Sequence, residues 1–334
     1  MNSREPGQVP NLGSGRAARL RRRRRKRIAL FASFVVIILL IVLAVVLLAL
    51  EIADASQELR NKGQDTSEPG GTDTADPLSD YVPASGTHSI HEGFLILVNQ
   101  KNKYVFPADE SRIVDVRSSR TINASGDPSY QCDYEKRLDK TALAAFNRMM
   151  DAFYAATNNP YALVSDAYRT EKDQEGKSIP VGHSDHHTGY LVSVKFYDDT
   201  GIYTSENPKY KDAYEWLNSH AAEYGFVVRY PANKASVTGV SDYTYCYRYV
   251  GPAHAAYMSA NDLCLEEYVE LLRTSYVFGG NHLKITDANG TNYEVYYVPA
   301  TDGDNTPIYV PAASGGYEIS GDNESGFIVT VTLK

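Results

Sequence analysis

Hydrophobic and polar positions divide this 334-residue chain into segments of very different character. Residues 28–50 form an uncharged run of 23 residues, almost all of them Leu, Ile, Val, Ala or Phe. A helix of that length can cross roughly 30 Å of hydrocarbon, so the run predicts one transmembrane helix. Residues 51–86 are instead rich in Ser, Thr, Asp, Gly and Pro and contain few large apolar side chains. Such a segment cannot bury enough surface to offset its chain entropy, which predicts a flexible linker.

Residues 87–276 show the mixed pattern of a folded domain. Short apolar runs interrupted by polar residues predict strands within 93–106, and a buried strand that runs into a loop over 161–170. Apolar residues repeat at helical spacing in three further segments, with Gly225 as the stop of the second and Asn261 as the N-cap of the third. The predicted helices lie within 141–156, 209–226 and 260–273.

Residues 277–334 consist of short alternating segments separated by turn residues. Alternating strands flank Asn289 and Gly290, a pair that strongly favours a hairpin turn. The pattern predicts a small β appendage, which either stands apart or completes a sheet of the main domain.

Charge is distributed very unevenly along the chain. Residues 1–27 hold ten of the 33 Lys and Arg residues and one acid, which leaves 23 bases and 40 acids, a net charge of −17, beyond Arg27. The basic run sets the orientation of the apolar segment, so 1–27 is predicted to be a cytoplasmic tail and the residues after Leu50 to be extracytoplasmic. The protein is therefore expected to be a single-pass plasma-membrane protein whose basic run contacts anionic lipid and not nucleic acid. A cleaved signal peptide is the alternative, although its apolar core would be shorter.

The cysteine content argues against a disulfide framework. Cys132, Cys246 and Cys264 cannot all pair with one another. They are expected to be isolated thiols, or one disulfide with one free thiol. A domain of this size can bury enough core to be stable without such cross-links.

Two motifs carry most of the functional information. Residues 182–194 read GHSDHHTGYLVSV, and residues 238–251 read TGVSDYTYCYRYVG. The first resembles the zinc-binding signature S-x-H-x-x-G-x-A-x-D of the D-alanyl-D-alanine carboxypeptidases, peptidase family M15B, which includes enzymes of the vancomycin-resistance type. The second resembles that family's E-x-W-H-x-R-Y-V-G segment. The strings LILVNQKNKY and SDAYRT, the latter followed by Gln174, resemble its opening strand and its S-G-Y-R-S segment in the same order.

The resemblance covers roughly residues 91–275 and implies an α+β fold. The expected architecture is an antiparallel-sheet zinc D,D-carboxypeptidase-like domain, preceded by the transmembrane helix and followed by the small C-terminal β appendage. In this family three side chains hold zinc, and a glutamate acts as general base on the zinc-bound water. By position, the resemblance implies substrate-binding roles for Arg169, Gln174 and Ser184. For Arg169, a structural salt bridge is an equal alternative to pairing with a substrate carboxylate.

The residues at the chemical positions depart from the family pattern. His186 stands at the first histidine ligand position, but Ser193 replaces the aspartate ligand and Cys246 replaces the second histidine. A neutral hydroxyl is a poor zinc ligand, whereas a cysteine thiolate binds zinc well. Tyr243 stands at the position of the general-base glutamate, and a phenol with a reference pKa of about 10 is a poor base at neutral pH. The sequence thus predicts a zinc site that has been either lost or rebuilt.

A rebuilt site would need donors from neighbouring positions. His183 or His187 could supply a further nitrogen, although adjacent side chains of a strand face opposite ways, which makes His187 the weaker choice. Asp242 could replace Tyr243 as the base if a bulge absorbed the one-residue shift. Another histidine, His254, is expected to cap or pack a helix and not to bind metal.

Three functions are compatible with these observations. The first is a membrane-anchored pseudoenzyme, without bound zinc, that binds peptidoglycan stem peptides or a cell-wall protein. The second is an active metallo-D,D-carboxypeptidase in which His186, Cys246 and a further histidine hold zinc and Asp242 is the base. The third is a non-catalytic assembly module that acts through the C-terminal β appendage. Peptidoglycan chemistry and a single N-terminal anchor are typical of a Gram-positive bacterium.

Overall fold

The computed structural model describes residues 80–122, 126–241 and 243–334. The predicted cytoplasmic tail 1–27, the predicted transmembrane helix 28–50 and most of the predicted linker 51–86 lie outside these ranges. Within the ranges, no helix is both long and apolar enough to span a membrane.

The described residues form six α-helices and fourteen β-strands. The helices are α1 (Lys140–Thr157), α2 (Glu171–Gln174), α3 (Lys211–His220), α4 (Ala235–Thr238), α5 (Pro252–Ala260) and α6 (Leu265–Ser275). The strands up to the second motif are β1 (Tyr81–Pro83), β2 (Ile113–Asp115), β3 (Gln131–Cys132), β4 (Arg137–Asp139), β5 (Ala162–Asp166), β6 (Leu191–Asp198), β7 (Gly201–Tyr203), β8 (Phe226–Val228) and β9 (Cys246–Tyr249). The remaining strands are β10 (Leu283–Thr286), β11 (Asn292–Pro299), β12 (Tyr309–Pro311), β13 (Tyr317–Gly321) and β14 (Gly326–Thr332). Short 3-10 turns lie at Asp185–Thr188, Pro208–Tyr210, Ala221–Tyr224 and Ala232–Lys234.

A six-stranded sheet forms the centre of the domain, in the order β3-β5-β6-β9-β8 with β7 paired to β6. The strand pairs are antiparallel apart from β3 and β5, which run parallel. Val192, Val194 and Phe196 of β6 share a core with helix α1. Because side chains alternate along a strand, Ser193 and Lys195 lie on the opposite face. The mixed helix and sheet content confirms the expected fold class, with a predominantly antiparallel sheet.

The helical periodicities agree with the structure in two of the three predicted segments. Helix α1 coincides with the first, and the second contains α3 and a 3-10 turn that ends at Gly225, where φ is 84°. In the third segment the prediction of Asn261 as an N-cap is wrong. Asn261 ends α5, and Cys264 begins α6 as its N-cap, with the Glu267 carboxylate accepting a hydrogen bond from the Cys264 N–H at 3.0 Å. Asp262 lies between the helices with a positive φ of 50°, which interrupts the helical backbone.

The strands predicted within 93–106 are absent, although residues 95–98 are buried. The carbonyl groups of this segment accept hydrogen bonds from buried arginine side chains in place of a neighbouring strand. These bonds join Arg248 to the carbonyls of Phe94 and Ile96, at 2.9 and 3.2 Å, and Arg229 to the carbonyl of Val98, at 3.4 Å. Buried backbone groups require a partner, and here side chains provide it.

The C-terminal extension forms its own antiparallel sheet, in the order β10-β11-β14-β13, and does not extend the central sheet. The hairpin predicted at Asn289 and Gly290 joins β10 to β11, and Gly290 adopts a φ of 81°. The inner residues of this sheet share a core with helices α5 and α6, including Val295, Tyr297 and Ile328. The extension is therefore packed against the main domain.

Strand β1 lies inside the range predicted as a flexible linker, 51–86. It pairs with β12, so that Tyr81 faces Pro311 and Pro83 faces Tyr309. The pairing provides hydrogen-bond partners for backbone N–H and C=O groups that a flexible linker would expose to water. Ordered structure thus begins earlier in the chain than the composition predicts.

All three cysteines are buried free thiols. Cys132 lies in β3, Cys246 opens β9 and Cys264 caps α6. The expectation of isolated thiols is confirmed, and the alternative with one disulfide is wrong.

A buried charge network fixes the first motif against the central sheet. The carboxylate of Asp185, at the start of the 3-10 turn, accepts hydrogen bonds from both Arg229 and Arg248, and all three side chains are fully buried. Glu266 of α6 also accepts from Arg229, at 2.8 and 2.9 Å, so two acids balance two bases. Arg229 follows β8 and Arg248 lies in β9, so the network joins the turn to both strands.

We expect substitution of Asp185 by Asn to lower the free energy of unfolding by about 3–5 kcal/mol, because it leaves buried guanidinium charge uncompensated. Glu215→Gln is a matched control, since it removes an exposed i,i+4 pair with Lys211 and should cost below about 0.5 kcal/mol. Chemical denaturation of the full-length protein in mild detergent measures both. Equal stability of the two variants would contradict a structural role for the network.

His254 is a buried packing histidine, as the sequence predicts. Its Nδ1 lies 2.7 Å from the Tyr268 hydroxyl, and its Nε2 lies 2.8 Å from the Thr330 hydroxyl. These contacts connect α5 to α6 and to β14 of the extension. Burial lowers the pKa of His254 to about 3.

We expect His254 to make the protein sensitive to acid. The folded state favours the neutral ring, so its stabilising contribution is complete above the unfolded pKa of about 6.5 and is lost progressively as the pH falls towards 3. His254→Gln can keep a hydrogen bond without titrating. Between about pH 7 and pH 4.5 the melting temperature of the wild type should fall more than that of the variant, and parallel curves would contradict this assignment.

Candidate functional site

A cleft of about 340 Å³ lies where the two motifs meet. It contains every site residue that the sequence predicts and the structure describes: Arg169, Gln174, Ser184, His186, Ser193, Tyr243 and Cys246. The other lining residues are Ser165, Asp166, Lys177, Ser178, Ile179, Lys195, Tyr230 and Tyr245. Asp242, the predicted substitute base, lies outside the described residues, so its role stays a prediction.

Strand register places the family's second and third ligand positions side by side. Ser193 of β6 is the direct partner of Cys246 in β9 and, on its other side, of Asp166 in β5. His186 reaches the same point from the 3-10 turn that Asp185 holds in place. Four separate segments therefore converge on one patch of the sheet.

Ser193 contacts both of the other side chains at the predicted ligand positions. The Ser193 hydroxyl lies 3.4 Å from His186 Nε2 and 3.1 Å from Cys246 Sγ. All three side chains are buried at the base of the cleft, with relative exposures of 6% or less. The hydroxyl therefore occupies a central position between an imidazole and a thiol.

Burial keeps both neighbours of Ser193 uncharged at neutral pH. Burial raises the pKa of the Cys246 thiol to about 12, with the Ser193 hydrogen bond opposing the shift. Burial also lowers the pKa of His186 to about 4, although the nearby Asp166 carboxylate opposes this shift. A neutral thiol, a neutral hydroxyl and a neutral imidazole thus meet at this point.

These donors suit zinc poorly. Zinc prefers thiolate, imidazole and carboxylate ligands, and here the set offers one imidazole, one hydroxyl and one protonated thiol. Across 80–122, 126–241 and 243–334, no group of three or more His, Cys, Asp and Glu side chains is placed to hold a metal ion. The residues at the family's ligand positions form a hydrogen-bonded cluster in place of the family's ligand set.

The two additional histidines do not line the cleft. His187 lies in a 3-10 turn and not in a strand, and both of its nitrogens are engaged. Its Nδ1 lies 2.7 Å from the Arg169 carbonyl, and its Nε2 accepts a hydrogen bond from the Gly182 N–H at 3.1 Å. His183 directs its Nδ1 to the Asn99 carbonyl, 2.9 Å away. Neither histidine completes a rebuilt site in this arrangement.

Arg169 is held by an internal salt bridge. Its Nε and NH2 groups both donate to the Asp166 carboxylate, and its NH1 donates to Gln174 Oε1 at 2.9 Å. Although burial opposes it, the pKa of Asp166 is lowered to about 2 by His186 and Arg169. One edge of the guanidinium is therefore occupied before any ligand binds.

Sequence reasoning missed Asp166. The string SDAYRT has one more residue than the family's S-G-Y-R-S, and the pairing of β5 with β6 shifts register between Val164 and Asp166. A bulge of this kind redirects a side chain, here into the cleft. The extra residue was the signal that could have revealed it.

Three tyrosines line the cleft beside the cluster. The Tyr243 ring lies 6.3 Å from the ring of Tyr230 and 5.9 Å from that of Tyr245, measured between centroids. Tyr243 is the residue that the sequence motif predicts at the base position of the family. It provides aromatic surface there, where a carboxylate would be required for general-base chemistry.

Comparison with known proteins agrees with the motifs. The family model for VanY, D-alanyl-D-alanine carboxypeptidase, matches residues 175–252. A D-alanyl-D-alanine carboxypeptidase of Enterococcus faecium is 29% identical over 252 residues, which cover 72% of this chain and 76% of that protein. A second, from Enterococcus faecalis, is 30% identical over 203 residues, which cover 53% of this chain and 66% of that protein.

One solved structure resembles most of the chain. The crystal structure of the vancomycin-resistance D,D-dipeptidase VanXYg, in complex with a D-Ala-D-Ala phosphinate analogue, has a TM-score of 0.60 and 22% identity. The match covers 75% of this chain and 99% of that one, and it shows a shared fold. The fold, the order of the motifs and the sequence relatives agree, and the chain belongs to the D-alanyl-D-alanine carboxypeptidase family.

Proposed function

We propose that this protein is a membrane-anchored, extracytoplasmic member of its family that binds peptidoglycan stem peptides without zinc-dependent hydrolysis. The observation that carries the proposal is the cluster of His186, Ser193 and Cys246, in which a hydroxyl and a protonated thiol occupy two ligand positions. Without a metal, no water is activated at that point. The family's reaction then lacks its nucleophile.

The missing base supports the same proposal. Tyr243 stands where the family has a glutamate, and a neutral phenol does not take a proton from water at neutral pH. Loss of the base and loss of the ligands are separate changes in separate segments. Each alone would be expected to reduce turnover strongly.

Ligand binding is supported by what the cleft retains. Ser184 lines a cavity large enough for a short peptide end, together with Arg169. Asp166 and Gln174 engage three of the five guanidinium N–H groups of Arg169, which leaves two for a ligand. A planar guanidinium is well suited to a terminal carboxylate. Because the relatives are named as D-alanyl-D-alanine carboxypeptidases, a D-Ala-D-Ala end is the ligand we propose.

The proposed location rests on the N-terminal sequence. The uncharged run 28–50 follows a basic run, and this order supports a location of the family domain outside the plasma membrane. Peptidoglycan lies on that side. Membrane attachment therefore brings the cleft to its proposed ligand.

The zinc content of designed variants tests the proposal. The wild type should contain well below one zinc per chain after purification without chelator, because its donors are poor. The double variant Ser193→Asp and Cys246→His restores the family's ligand set on an unchanged backbone and should bind about one zinc. Elemental analysis of both proteins in mild detergent measures this.

The variant His186→Ala in the double-variant background is the control and should lose the metal again. One zinc per wild-type chain that disappears in His186→Ala and in Cys246→Ala would overturn the proposal. It would favour an active site built on these two residues. Binding of a cell-wall protein, but of no peptide, would retain the pseudoenzyme and change its partner.

Release of terminal D-alanine provides the second test. We expect no zinc-dependent release from a muramyl pentapeptide by the wild type, since two of the three predicted ligand positions and the base position carry other residues. Adding Tyr243→Glu to the zinc-binding double variant should produce measurable release, at a rate at least tenfold above the double variant, in line with general-base contributions of about 10²–10⁴. Coupled detection of D-alanine measures both rates. Zinc-dependent release by the wild type, abolished by His186→Ala, would contradict the proposal.

A further inference from the structure

Two cations remain in the cleft after its internal ion pairs are assigned. The Asp, Glu, Lys and Arg side chains that line it are Asp166, Arg169, Lys177 and Lys195. Asp166 pairs with Arg169 and also lies 3.9 Å from Lys136. Among the described residues, neither Lys177 nor Lys195 has a carboxylate within 4.0 Å. The lining charges therefore give the cleft a net charge of about +2.

Lys195 lines the cleft close to Ser193. It lies two residues after Ser193 on β6, so both side chains project from the same face of the sheet. Its Nζ lies 5.2 Å from the centre of the Tyr245 ring, which lines the same cleft. The aromatic face holds the ammonium group beside the hydrogen-bonded cluster without neutralising its charge.

Lys177 lies where the cleft meets a second groove. It lines both concavities, together with Asp166 and Arg169. Its side chain is exposed, in the segment between α2 and the 3-10 turn. A ligand that extends from the base of the cleft towards the second groove would pass this lysine.

The two lysines are positively charged, whereas the domain around them has a negative net charge. Residues 80–334 contain 21 Lys and Arg residues and 33 Asp and Glu residues, a net charge of −12, so a cationic cleft is opposite in sign to the rest of the domain. Positive charge concentrated in a concave site attracts anions and disfavours cations. Two like charges in one cleft also repel each other, and neither has a carboxylate within 4.0 Å among residues 80–122, 126–241 and 243–334, so a bound anion would relieve this repulsion.

We propose that Lys177 and Lys195 form an anion subsite that selects peptides with a second carboxylate in addition to their C-terminal one. The proposal rests on the peptide-binding function above and specifies its ligand. The C-terminal carboxylate is assigned to the two guanidinium N–H groups of Arg169 that Asp166 and Gln174 leave unbonded. The second carboxylate, on a side chain further along the peptide, meets the two ammonium groups.

Matched peptides test the subsite. Each pair of pentapeptides ends in D-Ala-D-Ala and differs only by Glu or Gln at one of the three preceding positions. For at least one position, the Glu peptide should bind the full-length protein in mild detergent about fivefold more tightly than the Gln peptide, as expected of one partly exposed ion pair. Isothermal titration measures both affinities, and the preference should shrink as salt is raised.

Lysine variants assign the effect to the subsite. Lys195→Met keeps the aliphatic length and should bring the ratio of the Glu-peptide and Gln-peptide affinities close to one. Lys177→Met should reduce the preference. Lys211→Met, on the exposed side of α3, is the matched control and should leave it unchanged.

The outcomes separate this inference from the proposed function. Equal binding of the Glu and Gln peptides at every position would overturn the anion subsite and leave peptide binding intact. A Glu preference that survives in both Lys195→Met and Lys177→Met would also overturn it. Absence of binding by any peptide, with protein that melts like the folded wild type, would instead overturn the proposed function.

Discussion

The buried carboxylate of Asp185 joins the separate pieces of chain that build the cleft. It accepts hydrogen bonds from Arg229 and Arg248, and these arginines extend to the carbonyl groups of residues 94–98. His186 follows Asp185 directly, so this ion pair fixes the backbone next to it. The first motif can therefore keep its shape while the chemistry beside it changes.

The second constraint is the backbone register of the central sheet. Main-chain hydrogen bonds between β6 and β9 place positions 193 and 246 opposite each other whatever side chains they carry. Side chains at these two positions therefore meet because of the backbone register, and in this protein the Ser193 hydroxyl lies 3.1 Å from Cys246 Sγ.

The sequence predicted features that depend on local patterns. Helix α1 follows from its apolar face, the β10–β11 hairpin from Asn289 and Gly290, and the composition of the cleft from motif positions. Features that depend on distant partners were not predicted. Residues 94–98 look like a strand because they are apolar, but their carbonyl partners are arginines more than 130 residues away. Strand β1 likewise exists because β12 pairs with it.

Deletion of the C-terminal extension would not by itself show that the extension has an assembly role, because the extension is packed against the rest of the domain. One face of its sheet packs on α5 and α6, and the other is covered by apolar residues that include Ile308 and Val310. The large apolar side chains left exposed nearby are Val82 and Tyr309, among the described residues. Removing the extension would uncover the core behind α5 and take away the Asp322 carbonyl that accepts from the Leu97 N–H at 3.1 Å. Loss of binding after such a deletion would therefore report damage to the cleft as readily as loss of a docking surface.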